Sequence, residues 1–123
     1  MLRKVAFTMY PIRDVDRARA FYEDTLGLAL GSMGHQGEQY WIEYDLPDGG
    51  CLALTNFVED TPSDNSGGTI AFEVEDLDAL VADLKGKGVN FKSEMIHSPV
   101  CRMIVVNDSE GNAILLHQLK PKG

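Results

Sequence analysis

The chain repeats itself, and the repeat narrows the possible folds more than any other feature. Val5-Ala6-Phe7-Thr8-Met9, followed by Asp14-Val15-Asp16, returns as Ile70-Ala71-Phe72-Glu73-Val74, followed by Asp76-Leu77-Asp78. The Ala-Phe pairs lie 65 residues apart and the Asp-x-Asp pairs 62, so the first copy carries about three extra residues around Tyr10-Pro11-Ile12. The two ends also correspond: Asp48-Gly49-Gly50-Cys51-Leu52-Ala53-Leu54 resembles Glu110-Gly111-Asn112-Ala113-Ile114-Leu115-Leu116. Two halves therefore share one plan. A chain of 123 residues has the length of one ordinary domain. The expected layout is one domain with module 1 at about 1–57, a polar linker at about 58–68 and module 2 at about 69–120.

Each half opens with period-two alternation. Residues 3–10 set Val5, Phe7 and Met9 against Lys4, Ala6, Thr8 and Tyr10, and residues 69–75 set Ile70, Phe72 and Val74 against Thr69, Ala71 and Glu73. A helix follows in each case. Asp14 is the N-cap for residues 15–26 and Asp76 for 77–87, and Gly27 and Gly88 stand where a left-handed C′ residue ends a helix. Further strands are expected at 28–33, 38–45 and 50–56, and again at 89–95, 101–107 and 112–118. Each half thus reads β-α-β-β-β, which makes the fold class α+β. The expected architecture is two curved mixed sheets facing each other around a groove, with one helix on the outer face of each. By strand parity, Lys4, Thr8, Cys51, Thr69, Glu73 and His117 fall on the inner faces. That small and polar set suits a ligand pocket.

Composition removes several functions. The net charge of -8 disfavours phosphate backbones and anionic lipid, so neither nucleic acid nor a membrane is an expected partner. No apolar run is long enough to span a bilayer, and MLRKVAFTMYP lacks the apolar core of a signal peptide, which makes the cytoplasm the expected address. Cys51 and Cys101 are fifty residues apart with no CxxC, so free thiols are expected rather than a zinc site. Nucleophile-elbow, P-loop, dinucleotide and HExxH motifs are all missing from the sequence.

Asp14-Val15-Asp16-Arg17-Ala18-Arg19-Ala20-Phe21-Tyr22-Glu23-Asp24-Thr25-Leu26-Gly27-Leu28 resembles the first helix of the vicinal oxygen chelate superfamily, with its Phe-Tyr and Leu-Gly-Leu. This is the group of glyoxalases, extradiol dioxygenases and bleomycin-resistance proteins. Asp108-Ser109-Glu110-Gly111-Asn112 resembles its last turn, and Phe72-Glu73-Val74-Glu75-Asp76-Leu77-Asp78 the start of its second module. The resemblance covers essentially the whole chain. It implies the paired βαβββ fold, a small-molecule ligand and a homodimer. It does not fix the reaction, because such folds host many chemistries.

The resemblance also implies a divalent metal held by a His early in each module's first strand and a Glu in each last strand. Those positions here are Lys4, Thr69, Ala53 and Leu115. None is a good ligand, and an ammonium opposes a cation. The expectation is therefore no metal and no other cofactor, with metal-independent binding of a small organic molecule. The alternative is a glyoxalase-like lyase or isomerase acting on a small carbonyl or oxygenated substrate through Lys4, Glu73, His117 or a cysteine. An anionic or oxygen-rich guest would suit Lys4. The remaining polar candidates are less pointed. His35 sits in a Gly-rich stretch and His97 in a loop, Arg102 is either an exposed strand charge or a grip for a carboxylate, and Tyr40 and Trp41 must point opposite ways.

Overall fold

The computed structural model describes residues 1–121. The chain divides into two units, Met1–Pro62 and a second from Ser63 onward. Each is a β-α-β-β-β module with a four-stranded mixed sheet, and the class is α+β.

In the first unit the sheet order is β1 (Thr8–Pro11), β4 (Cys51–Thr55), β3 (Gln39–Asp45), β2 (Leu30–Gln36). β1 runs parallel to β4, and the other pairs are antiparallel. The first strand is shorter than the alternation over 3–10 suggests. Thr8 pairs with Leu52, so anything earlier than Phe7 would lie beside the Asp48-Gly49-Gly50 turn, where no ladder exists. The parity is also reversed. Thr8 and Tyr10 share register with Leu52 and Leu54, and hence with Ile42 and Tyr44, on the buried face. Phe7 and Met9, expected in the core, are exposed instead.

The first helix begins as expected, with Asp14 accepting the backbone N–H of Arg17 at 3.0 Å. α1 (Val15–Arg19) then widens into a π-helical stretch, Ala20–Thr25, instead of continuing as one α-helix. The widening lets the neighbours Phe21 and Tyr22 both be buried. Tyr22 stacks on Tyr44 at 6.1 Å between ring centroids. Beside them the Tyr44 hydroxyl donates to Glu23 at 2.9 Å, and Glu23 is held by Arg19 at 2.7 and 3.1 Å. Burial and the Glu23 carboxylate push the Tyr44 phenol well above its usual range. Gly27 ends the helix at φ +76°.

The second unit repeats the plan in the order β5 (Ile70–Glu73), β8 (Ala113–Leu119), β7 (Cys101–Asn107), β6 (Ile96–His97). α2 (Leu77–Gly86) is capped by Asp76, which accepts from Ala79 N at 3.0 Å. Its Leu77 and Leu84 are fully buried, as are Val106 and Ile114 on the sheet. Arg102 is on this helix side, donating to Asp78 at 2.9 and 3.2 Å and to Gln118 at 3.0 Å, while Gln118 accepts from Leu77 N at 3.1 Å. Arg102 therefore ties the start of the helix to the sheet and is not a ligand grip.

The strand expected at 89–95 is replaced by an irregular segment and the short β6. Lys92 and Ser93 both donate backbone N–H to the Val105 carbonyl, and the Ser93 hydroxyl accepts Val105 N–H at 3.0 Å. One hydroxyl thus occupies the donor that a strand carbonyl would take, and the regular ladder stops. Among the described residues no helix is long and apolar enough to cross a membrane.

Candidate functional site

One face of each sheet is covered by that unit's helix, and the opposite face carries the candidate site residues. On the first sheet this helix-free face presents Met9, Trp41, Glu43, Asp45, Cys51, Ala53 and Thr55, since these residues share register. Trp41 Nε1 donates to Glu43 at 2.7 Å. Phe7 meets the indole edge-on, with ring centroids 5.2 Å apart and planes at 88°. Trp41 and Glu43 are both half-buried. Tyr40 points the other way, stacking on His35 at 5.0 Å, as alternation requires. Cys51, a half-buried free thiol, pairs across the ladder with Asp45. Burial pushes this thiol up, and the Glu43 and Asp45 carboxylates push it further.

On the second sheet the helix-free face carries Ala71, Glu73, Met103, Val105, Leu115 and His117. Glu73 and His117 are cross-strand partners, and Glu73 Oε1 meets His117 Nδ1 at 2.5 Å. Glu73 Oε2 accepts the backbone N–H of Leu119 at 2.9 Å. That N–H, together with His117, holds the Glu73 carboxyl below the usual carboxylate range.

The six residues expected from the sequence are distributed unevenly. Glu73 and His117 are brought together on one face. Cys51 is on the helix-free face of the first sheet. Thr69 is exposed just before β5. Lys4 is exposed in the segment ahead of β1, outside any strand. Thr8 does not share a face with Cys51: it pairs with Leu52, and that register turns it to the helix side. Glu43 was missed. It stands two residues from Trp41, and the buried pair Ile42 and Tyr44 fixes which side of β3 both must take.

A two-module βαβββ protein with one helix-free face per sheet is the class that these observations define. The sequence model of the Glyoxalase/Bleomycin resistance protein/Dioxygenase superfamily matches residues 4–116, and the chain belongs to that superfamily. Among solved structures, it is similar to TnmS3, an antibiotic binding protein from Streptomyces sp. CB03234, at 24% identity and TM-score 0.81, covering 97% of this chain and 98% of that one. It is also similar to the trypanothione-dependent glyoxalase I of Leishmania major, at 29% identity and TM-score 0.77, covering 95% and 87%. A putative glyoxalase family protein from Bacillus anthracis shares 18% identity at TM-score 0.81, covering 98% of each chain. No curated protein sequence matches the chain.

The metal that the superfamily implies does not fit the residues present. Lys4, Ala53, Thr69 and Leu115 offer an ammonium, a buried methyl, a hydroxyl and an isobutyl group. Among the described residues no group of three or more His, Cys, Asp or Glu side chains could hold a metal ion.

Proposed function

We propose that this chain binds a small organic molecule, without a metal ion, on the helix-free face of its first sheet. The observation that carries the reading is the Phe7–Trp41–Glu43 arrangement: two edge-packed rings and a carboxylate already engaged by the indole N–H. Aromatic rings beside a carboxylate favour planar guests bearing a positive charge. Asp45 adds a second negative group on that face, and Cys51 lies beside it. The guest favoured here is therefore cationic, not the anion that Lys4 alone would suit. The antibiotic binding named for TnmS3 agrees in kind with this reading. In it, the protein works in the cytoplasm as a homodimer, with both cysteines as free thiols.

Calorimetric titration with 9-aminoacridine, a planar cation, and naphthalene-2-carboxylate, a planar anion, tests the proposal in buffer containing EDTA. Micromolar binding of the cation, weakened about tenfold by Glu43→Gln, is expected. Binding of the anion alone, or cation affinity unchanged by Glu43→Gln and Trp41→Ala, overturns it.

A further inference from the structure

We propose that Glu73 and His117 form an acid–base dyad that moves a proton on a carbon acid, giving the second sheet a tautomerase-type activity. The proposal goes beyond the binding reading and does not depend on it, because the dyad belongs to the other unit. The juxtaposition is specific. Nδ1 of His117 faces Glu73 Oε1 at 2.5 Å, and Glu73 is itself fixed by Leu119 N–H at 2.9 Å. An ionised carboxylate can only accept, so Nδ1–H donates to Glu73 and keeps its proton, and the lone pair is left on Nε2. Among the described residues Nε2 has no hydrogen-bond partner. The side chain is 23% exposed, so the ring is held without being sealed off.

The dyad is two residues beyond Leu115, on the same face as that position. Its neighbours in the sheet are Met103, across from His117, and Leu115 and Ala71 one register pair along. Glu73 on β5 and Cys101 on β7 are the titratable groups sharing this face, since Arg102 faces the helix side. The sheet neighbours Met103, Leu115 and Ala71 are apolar and offer no charged group to a developing oxyanion, so the fitting substrate is one that carries the resulting charge itself. A 1,3-dicarbonyl compound does so.

The step balances without an oxidant or a second reactant. Nε2 takes the proton from the carbon between the two carbonyls. The C–H electron pair becomes the new C=C bond, and the carbonyl π pair moves onto oxygen. The imidazolium, paired with Glu73, then returns its proton to that oxygen as the enol forms. His117 is the catalytic residue and Glu73 a positioning residue.

Ketonisation and C2 hydrogen–deuterium exchange of benzoylacetone, followed by ultraviolet absorbance and NMR, test the dyad. The expected result is a rate at least tenfold above an equal concentration of N-acetylhistidine. His117→Gln should abolish the excess. Glu73→Gln should retain part of it, and Glu73→Asp should recover more than Glu73→Gln, because a carboxylate can still accept from Nδ1–H and hold the ring. His97→Gln, at an exposed residue, should match wild type. A wild-type rate equal to N-acetylhistidine overturns the proposal whether or not the variants fold, and so does a folded His117→Gln that keeps the full rate.

Discussion

Asp108 is the carboxylate on which the last turn of the second module is built. It is nearly buried, at 7% exposure, and accepts Glu110 N at 2.8 Å, Asn112 N at 2.8 Å and Asn112 Nδ2 at 3.0 Å. Replacement by Ala leaves two backbone donors and an amide without their acceptor in a buried turn. Each unsatisfied buried donor costs about 1–3 kcal/mol, and water entering the space recovers part of that, so about 3 kcal/mol is expected for Asp108→Ala. For a chain of this size that is a fall in Tm of about 12 °C, at about 4 °C per kcal/mol. The repeat supplies the control. Leu46 holds the corresponding place in the first module's turn, and the carboxylate within that turn, Asp48, aligns with Glu110 and is exposed, so Asp48→Ala should stay within about 0.5 kcal/mol of wild type. Asp108→Asn should recover about half the loss. Its Oδ1 can still accept both backbone N–H groups, but its NH2 then opposes the Asn112 amide, whose own oxygen is engaged by Ser63 N at 3.1 Å. Thermal unfolding by circular dichroism reads all three. An Asp108→Ala within about 1 kcal/mol of wild type, or an Asp48→Ala equal to it, refutes the reasoning.

The remaining predictions concern close packing, protonation and assembly. A Cβ on Gly31 would lie 2.9 Å from Asp45 Oδ2 and 3.2 Å from the Glu43 carbonyl, whereas one on Gly34 meets nothing within 4 Å. Urea melts should therefore show Gly31→Ala destabilised by about 1–2 kcal/mol and Gly34→Ala near neutral. Glu73 has its folded pKa lowered, so its contribution is present above the ordinary carboxylate pKa and is lost as pH falls through the lower folded value. The Tm gap between wild type and Glu73→Gln should be flat above about pH 5 and close below it, and a gap that widens in acid contradicts this. With its pKa raised, Cys51 in a Cys101→Ser background should react with iodoacetamide more slowly than free cysteine at neutral pH, and an equal or faster rate by mass spectrometry counts against the environment described. Light scattering at micromolar concentration should give twice the chain mass, since β1 and β5 are edge strands of their sheets; a monomer mass throughout excludes the dimer.

The repeat, both helices and their ends were legible because local groups decide them. Asp14 and Asp76 cap through their own side chains, and Gly27 and Gly88 adopt φ of +76° and +77°. Parity in the first strand was not legible. Val5, Phe7 and Met9 have the alternation of a core face, but the register with β4 that turns Thr8 and Tyr10 inward is set by contacts forty-odd residues away. The segment at 89–95 misled for a local reason, since Ser93 supplies a hydroxyl where a ladder needs a carbonyl. At the site, Glu73 and His117 follow from the repeat and strand alternation together. The Phe7–Trp41–Glu43 arrangement needs a ring orientation that one-dimensional spacing does not contain.

The most direct test of metal-independent binding at the first sheet is a crystal structure of the protein with 9-aminoacridine, grown in the presence of EDTA. The predicted result is density for the ring system against Trp41 and Phe7, with its positive group toward Glu43 and no metal between them. Density only on the helix-covered side, or a ligand held through a metal ion, would contradict it.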